Sequence, residues 1–215
     1  MEMNKVASLC SLLYINYGTT LVGLRAIGYQ MDYDDFHSFV HARGLLYAKI
    51  KPDPVLKNML QSMHIRKLIF TNSDMDQTKI VLERLGLKDC FTGGIICFET
   101  LNKPYLRLPR DSAAASAIFD IEGHIARSGG KLPKTPVLCK LNTTAMKEAL
   151  NKFNVDPSKI FFDHSERNIK ARKDIGMRTV LVSLLNYLYF LFGLFCCVHM
   201  TNAPSLLRRL ANPTV

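Results

Sequence analysis

Between Lys67 and Val182 short apolar runs alternate with stretches of helical periodicity, and this alternation limits the fold more than any other feature of the chain. Lys67-Leu68-Ile69-Phe70 reads as a strand ending at Thr71-Asn72-Ser73, residues suited to capping a helix from Met75 to Leu85 that Gly86 ends. Gly94 to Phe98 reads as a second strand. Thr135 to Cys139 leads to Lys140, and a helix from about Thr143 to Phe153 sets Met146, Ala149, Leu150 and Phe153 on one stripe. Ile160-Phe161-Phe162 is a third strand ending at Asp163; a helix to Ile175 and Gly176 follows, then a fourth strand from Thr179 to Val182. Apolar strands separated by helices belong to a parallel sheet covered on both faces. Ligands of such α/β sheets bind beyond the carboxyl ends of the strands. Thr71-Asn72, Lys140 and Asp163-His164 are the polar residues at those ends, and they are expected to share one crevice.

The preceding residues carry a different pattern. From about 4 to 47, Val6, Leu9, Leu13 and Tyr14 recur at helical spacing, and Tyr17-Gly18-Thr19-Thr20 interrupts them. Leu21 to Gly28 is a short helix ended by glycine, and Asp32 to His41 is another, with Phe36 and Val40 on one side. Ile50-Lys51-Pro52-Asp53-Pro54 is a stiff boundary, since each proline fixes its own φ and biases the residue before it away from helix. The expected division is a partial all-helical cap over 1–48, an α/β core over 49–183 and a divergent tail over 184–215.

A composition of 48% hydrophobic and 21% charged residues is that of a globular chain. The formal net charge of +10 favours anionic partners, but the basic residues are scattered. Their densest group, Lys170, Arg172 and Lys173, reads as a solvated face rather than a nucleic-acid surface. No partner protein is identifiable. The six cysteines form no CxxC pair, and Cys97 and Cys139 sit in apolar runs as buried thiols of a reducing compartment. Val180 to Val198 carries no charge, with Arg178 before it and Arg208 and Arg209 after it. That is about the 20 residues needed to span a bilayer, so a single-pass anchor is one reading of the tail. A buried terminal helix fits less well, because the segment has no polar face, and translated non-coding sequence, foreign to the fold, is the third reading.

The strand-end residues, in this order, resemble the later motifs of the haloacid dehalogenase-like superfamily. Ile69-Phe70-Thr71-Asn72 looks like its second motif, Cys139-Lys140 its third and Phe161-Phe162-Asp163-His164-Ser165 its fourth. Lys51-Pro52-Asp53-Pro54-Val55, the run Arg84 to Phe91, the run Gly94 to Asn102 and Arg167-Asn168-Ile169 resemble the pyrimidine 5′-nucleotidase-like branch, especially its plant members. The resemblance implies a Rossmann-like core with a helical cap, a cytoplasmic location and Mg²⁺-dependent hydrolysis of nucleoside 5′-monophosphates or similar small phosphate esters. In such enzymes an Asp attacks phosphorus and a second Asp protonates the leaving oxygen. The resemblance gives Thr71, Asn72 and Lys140 the binding of the transferring phosphoryl group and Asp163 a share of the metal.

Read one at a time, the same residues have plainer roles. Thr71 and Asn72 are also good helix caps, Lys140 an ordinary surface lysine, and Asp163 an acid facing a helix dipole. Two departures bear on chemistry. The family's first strand, ending in Asp-x-Asp-x-Thr and central in its sheet, is not found; Asp32-x-Asp34 and Asp74-x-Asp76 both read as helix starts. His164 stands where the family has a second acid, and imidazole is a poor ligand for Mg²⁺. The expectation is therefore a chain truncated at its N-terminus, short of metal ligands and catalytically impaired, with backbone groups beside the missing strand left unpaired. A non-catalytic phosphate-binding remnant and a membrane-tethered form are the alternatives. Cap residues such as Tyr17, Thr19 and Thr20 could contribute to substrate contact, but nothing in the sequence reads out a base or sugar.

Overall fold

The computed structural model describes residues 3–27, 29, 32–44, 47, 50–106, 121–129, 131–135, 137–156, 158, 160–181 and 196–198. In chain order, α1 (Met3–Tyr17), α2 (Thr20–Ala26), α3 (Tyr33–Gly44) and α4 (Pro54–Ser62) precede β1 (Lys67–Phe70), α5 (Met75–Arg84), β2 (Ile95–Ile96) and α6 (Phe98–Leu106). Then come α7 (Ile121–Ser128), α8 (Thr143–Lys152), β3 (Ile160–Asp163), α9 (Glu166–Lys173), β4 (Arg178–Leu181) and β5 (Cys196–Val198). The chain divides into two units, Met1–Leu45 with Asn102–Cys139, and Leu46–Leu101 with Lys140–Val215.

The first unit is helical among its described residues. Thr19 caps α2 by accepting from the Val22 N–H at 3.1 Å, and Asp32 caps α3 through the Asp35 N–H at 3.0 Å. Leu13 and Tyr17, one turn apart on α1, are buried, whereas Val6 and Tyr14 of the expected stripe are exposed. The buried face of α1 meets α2 at Gly23, where an added Cβ would lie 2.6 Å from Leu13 Cβ, so only glycine permits this approach. Residues 102–139 join this unit rather than the expected 49–183 core, because side chains tie their ends back. Asn102 exchanges two hydrogen bonds with the Leu138 backbone at 2.8 and 2.7 Å, Tyr17 Oη donates to Pro133 O at 2.7 Å and Cys139 Sγ donates to Tyr17 O.

The second unit is α/β. Its boundary prolines do more than stiffen the chain: Asp53 accepts from the Leu56 N–H and Pro54 occupies the first turn of α4, a helix start that the reading of this run as a boundary did not include. β1 and β3 are buried at every position, whereas β4 has exposed ends. Gly94 to Phe98 forms only a two-residue strand, since Phe98 already opens α6. The cap of α5 is Asp74, whose Oδ1 accepts from the Gln77 N–H at 2.6 Å, and not Thr71, Asn72 or Ser73. Gly86, at φ +71°, ends that helix as expected.

Among the described residues the sheet has five strands, in the order β2-β1-β5-β3-β4. β1 pairs with β2, and β3 with β4, in parallel; β5 lies between the two pairs and is antiparallel to both neighbours. The expected wholly parallel sheet is therefore a mixed one. The backbone groups of β1 and β3 that would have faced a gap are partly satisfied by Cys196–Val198, residues of the segment read as a divergent tail. Among the described residues this pairing reaches Ile69 on β1 and Phe161 on β3, so Phe70 and Asp163 project past it. Most of the stretch read as a membrane span, residues 182–195, lies outside the described residues, as do residues 199–215. Among those described, no single helix is long and apolar enough to cross a membrane; a pair bent by 89°, Val6–Tyr17 with Thr20–Ala26, passes by length and composition only.

Candidate functional site at the strand ends

Three segments far apart in sequence meet where β1 and β3 end. Thr71 follows β1 and is fully buried; its N–H donates to Ile96 O at 2.8 Å, and its Oγ1 accepts from the Ser73 N–H at 3.1 Å. Asn72 is next, and its Oδ1 accepts from the Lys140 N–H at 2.7 Å. That bond spans 68 positions of the chain and removes the plain reading of Asn72 as a cap for α5. Lys140 is buried rather than at the surface, 2% exposed, with Nζ 3.8 Å from Asp163 Oδ2. A separation of this size is an ion pair beyond hydrogen-bond length.

Asp163 ends β3 and has no solvent exposure. Its Oδ1 accepts from the Ser165 N–H at 2.7 Å and its Oδ2 from Asn168 Nδ2 at 2.9 Å, while Ser165 Oγ caps α9. The carboxylate thus faces the start of a helix, where the partial positive charge of the first turn favours it. His164 lies beside it, Nδ1 3.6 Å from Asp163 Oδ1. Burial pushes the imidazole pKa down from its ordinary 6.5; Asp163 opposes that shift and Lys140 adds to it. Asn72, Lys140, Asp163 and His164 therefore converge as expected, with Thr71 adjacent in the chain.

Two contributors escaped the sequence. Asn168 appears there only as part of a flanking tripeptide, yet it holds Asp163. Arg172 reads as one of three solvated basic residues, whereas it is fully buried while Lys170 and Lys173 are exposed. Its guanidinium donates to Lys140 O and lies 5.9 Å from the Phe70 ring centroid and 5.5 Å from that of Phe161. The available signal was its spacing: Arg172 is three positions from buried Ile169, on the inner face of α9.

Several other candidates have structural occupations. Oδ1 of Asp32 and of Asp74 each accepts from a helix N-terminus, as the reading of both Asp-x-Asp pairs as helix starts expected. Tyr17 donates to Pro133 O and Thr19 caps α2, so neither hydroxyl is aimed at a substrate by these contacts. Cys97, at the end of β2, is buried, and burial pushes its thiol pKa up, away from a reactive thiolate.

Mg²⁺ requires a tight octahedron of oxygens. Asp163 offers one carboxylate, already accepting from Ser165 and Asn168 and facing an ammonium, and His164 offers nitrogen. Among the described residues no group of three His, Cys, Asp or Glu is placed to hold a metal. This donor set does not fit Mg²⁺.

Fold and site together define an α/β protein with a buried, cation-bearing polar cluster at the carboxyl ends of its strands. No protein-family model matches the chain, and no curated protein matches it.

Proposed function

We propose that the chain is a haloacid dehalogenase-like protein of the pyrimidine 5′-nucleotidase-like kind that binds the phosphate of a small phosphate ester, such as a nucleoside monophosphate, without hydrolysing it efficiently. On this reading the α/β unit is the Rossmann-like core, and α1 to α3 belong to its partial helical cap. The observation that carries it is the link from Asn72 Oδ1 to the Lys140 N–H at 2.7 Å, with Lys140 Nζ 3.8 Å from Asp163. It assembles the residues of three resembling motifs at one place. Lys140 supplies a positive charge in a dry setting, where it is worth most to an anion. Thr71 uses its oxygen on the Ser73 N–H, which leaves its O–H hydrogen to donate. Asp163 serves as counter-charge to Lys140 and as the anchor of α9.

What favours binding over turnover is the occupation of the carboxylates. Asp163 is engaged with Lys140, Ser165 and Asn168, and Asp32 and Asp74 cap helices. The test is a titration with inorganic phosphate and with a nucleoside monophosphate, followed by ³¹P NMR, beside an assay of phosphate release with and without Mg²⁺. Millimolar binding that is lost in Lys140→Met, with release no faster than background, is the expected result. Rapid release would refute the non-catalytic reading, and absence of binding would refute the phosphate site itself.

A further inference from the structure

We infer that Arg172 is a positioning residue for Lys140, holding the peptide that carries the site's cation. This rests on the reading of Lys140 as the phosphate-facing group. Lys140 sits in a turn, not in a strand, and residues 131–135 and 137–139 just before it carry no strand either. No ladder therefore fixes its main chain. Side chains do so instead, from two directions: Asn72, after β1, takes the Lys140 N–H, and Arg172, on α9, gives a hydrogen bond to the Lys140 carbonyl. The main chain is held on both sides of the Lys140 Cα, by a strand end and by a helix, and the start of that helix anchors Asp163 through Ser165 and Asn168. One element thus sets both members of the Lys140–Asp163 pair.

The chemistry of the residue supports a role beyond filling space. Burying a guanidinium is unfavourable, and an apolar side chain of similar volume often serves packing equally well or better. Arg172 is fully buried all the same, with Phe70 and Phe161 flanking its charged end at 5.9 and 5.5 Å. Those aromatic faces ease the burial of the cation and leave its planar fork directed by the backbone carbonyl it meets. Phe70 also lies 6.0 Å from Lys140 Nζ, so one ring borders both cations.

Amide exchange separates positioning from packing. In the ¹⁵N-labelled protein, Arg172→Met should speed exchange of the Lys140 amide about tenfold more than that of the Ile69 and Thr71 amides, because losing the charge-assisted bond to the Lys140 carbonyl loosens the segment whose N–H Asn72 holds. In the same samples the affinity for inorganic phosphate should fall about tenfold. Arg172→Lys keeps a buried cationic donor but not the fork, and should restore part of both. It also serves where the methionine variant does not fold. A uniform rise in all three amides, with phosphate affinity unchanged in the folded fraction, would overturn the inference and leave Arg172 as packing. Selective loosening of Lys140 in a protein that binds no phosphate would uphold the clamp and refute the proposed function alone.

Discussion

Removal of the Asp163 carboxylate tests the cluster most severely. In Asp163→Ala the Ser165 N–H and the Asn168 amide each lose an acceptor, and buried Lys140 loses its counter-charge. At 3.8 Å the attraction between the two charges is about 4 kcal/mol with an effective dielectric constant near 20. Hydrogen bonds to a charged acceptor contribute roughly 1.5–3 kcal/mol each, but these terms share one carboxylate and do not add. Breaking a buried pair costs roughly 3–5 kcal/mol, and that is the loss expected. Against a typical domain stability of about 5–15 kcal/mol it should be plain in urea unfolding followed by both fluorescence and circular dichroism. The double variant Asp163→Ala/Lys140→Met removes the stranded cation as well. It should be less destabilised than the sum of its two single changes by about 1–3 kcal/mol. A single variant within 1 kcal/mol of the parent, or strictly additive behaviour of the pair, would refute the claim that these groups interact across the strand ends.

Two further outcomes follow from local geometry and charge. Gly23→Ala drives a methyl group to 2.6 Å from Leu13 Cβ and 3.0 Å from a Tyr17 ring carbon. Such overpacking should destabilise the helical unit by about 1–3 kcal/mol in thermal unfolding, and an unchanged melting temperature would contradict the close approach of α1 and α2. His164 titrates below 6.5 because it is buried, so the unfolded chain takes up that proton first as the pH falls. Its contribution to stability is therefore intact above the ordinary value and declines below it until the native imidazole also protonates. Replacing it in His164→Gln should flatten the fall of stability in mildly acidic solution, as read from urea midpoints at stepped pH.

β1, α5, α8, β3 and α9 were legible because their signals are local. Three consecutive apolar residues, Leu68–Phe70 or Ile160–Phe162, make most of a buried strand, and Asn142 or Ser165 ahead of a periodic run caps a helix within a few positions. The gathering of Asn72 and Asp163 was legible too, since an alternating strand–helix pattern sends strand-end residues to one edge of a sheet; Lys140 joins them from a turn with no strand just before it among the described residues, held by Asn72. The cap of α5 was misplaced by a few residues, because Thr71, Asn72, Ser73 and Asp74 all have suitable side chains. Long-range partners decided among them: β2 takes the Thr71 backbone and Lys140 takes Asn72.

Other features belong to no local pattern. Cys196–Val198 is a central strand only because β1 and β3 present edges that another strand can satisfy, which nothing in those three residues states. Residues 102–139 fall with the helical unit through single side chains, Asn102 and Tyr17, acting across many positions. Arg172 has the look of a solvated base among bases, and only the packing of α9 against Phe70 and Phe161 buries it. Local sequence was enough for β1, α5, α8, β3, α9 and most of the candidate cluster, since caps and apolar periods act over a turn or a strand. Tertiary structure alone decided the middle of the sheet and the hold on Lys140, because those depend on which backbone groups remain to be paired once the local elements have formed.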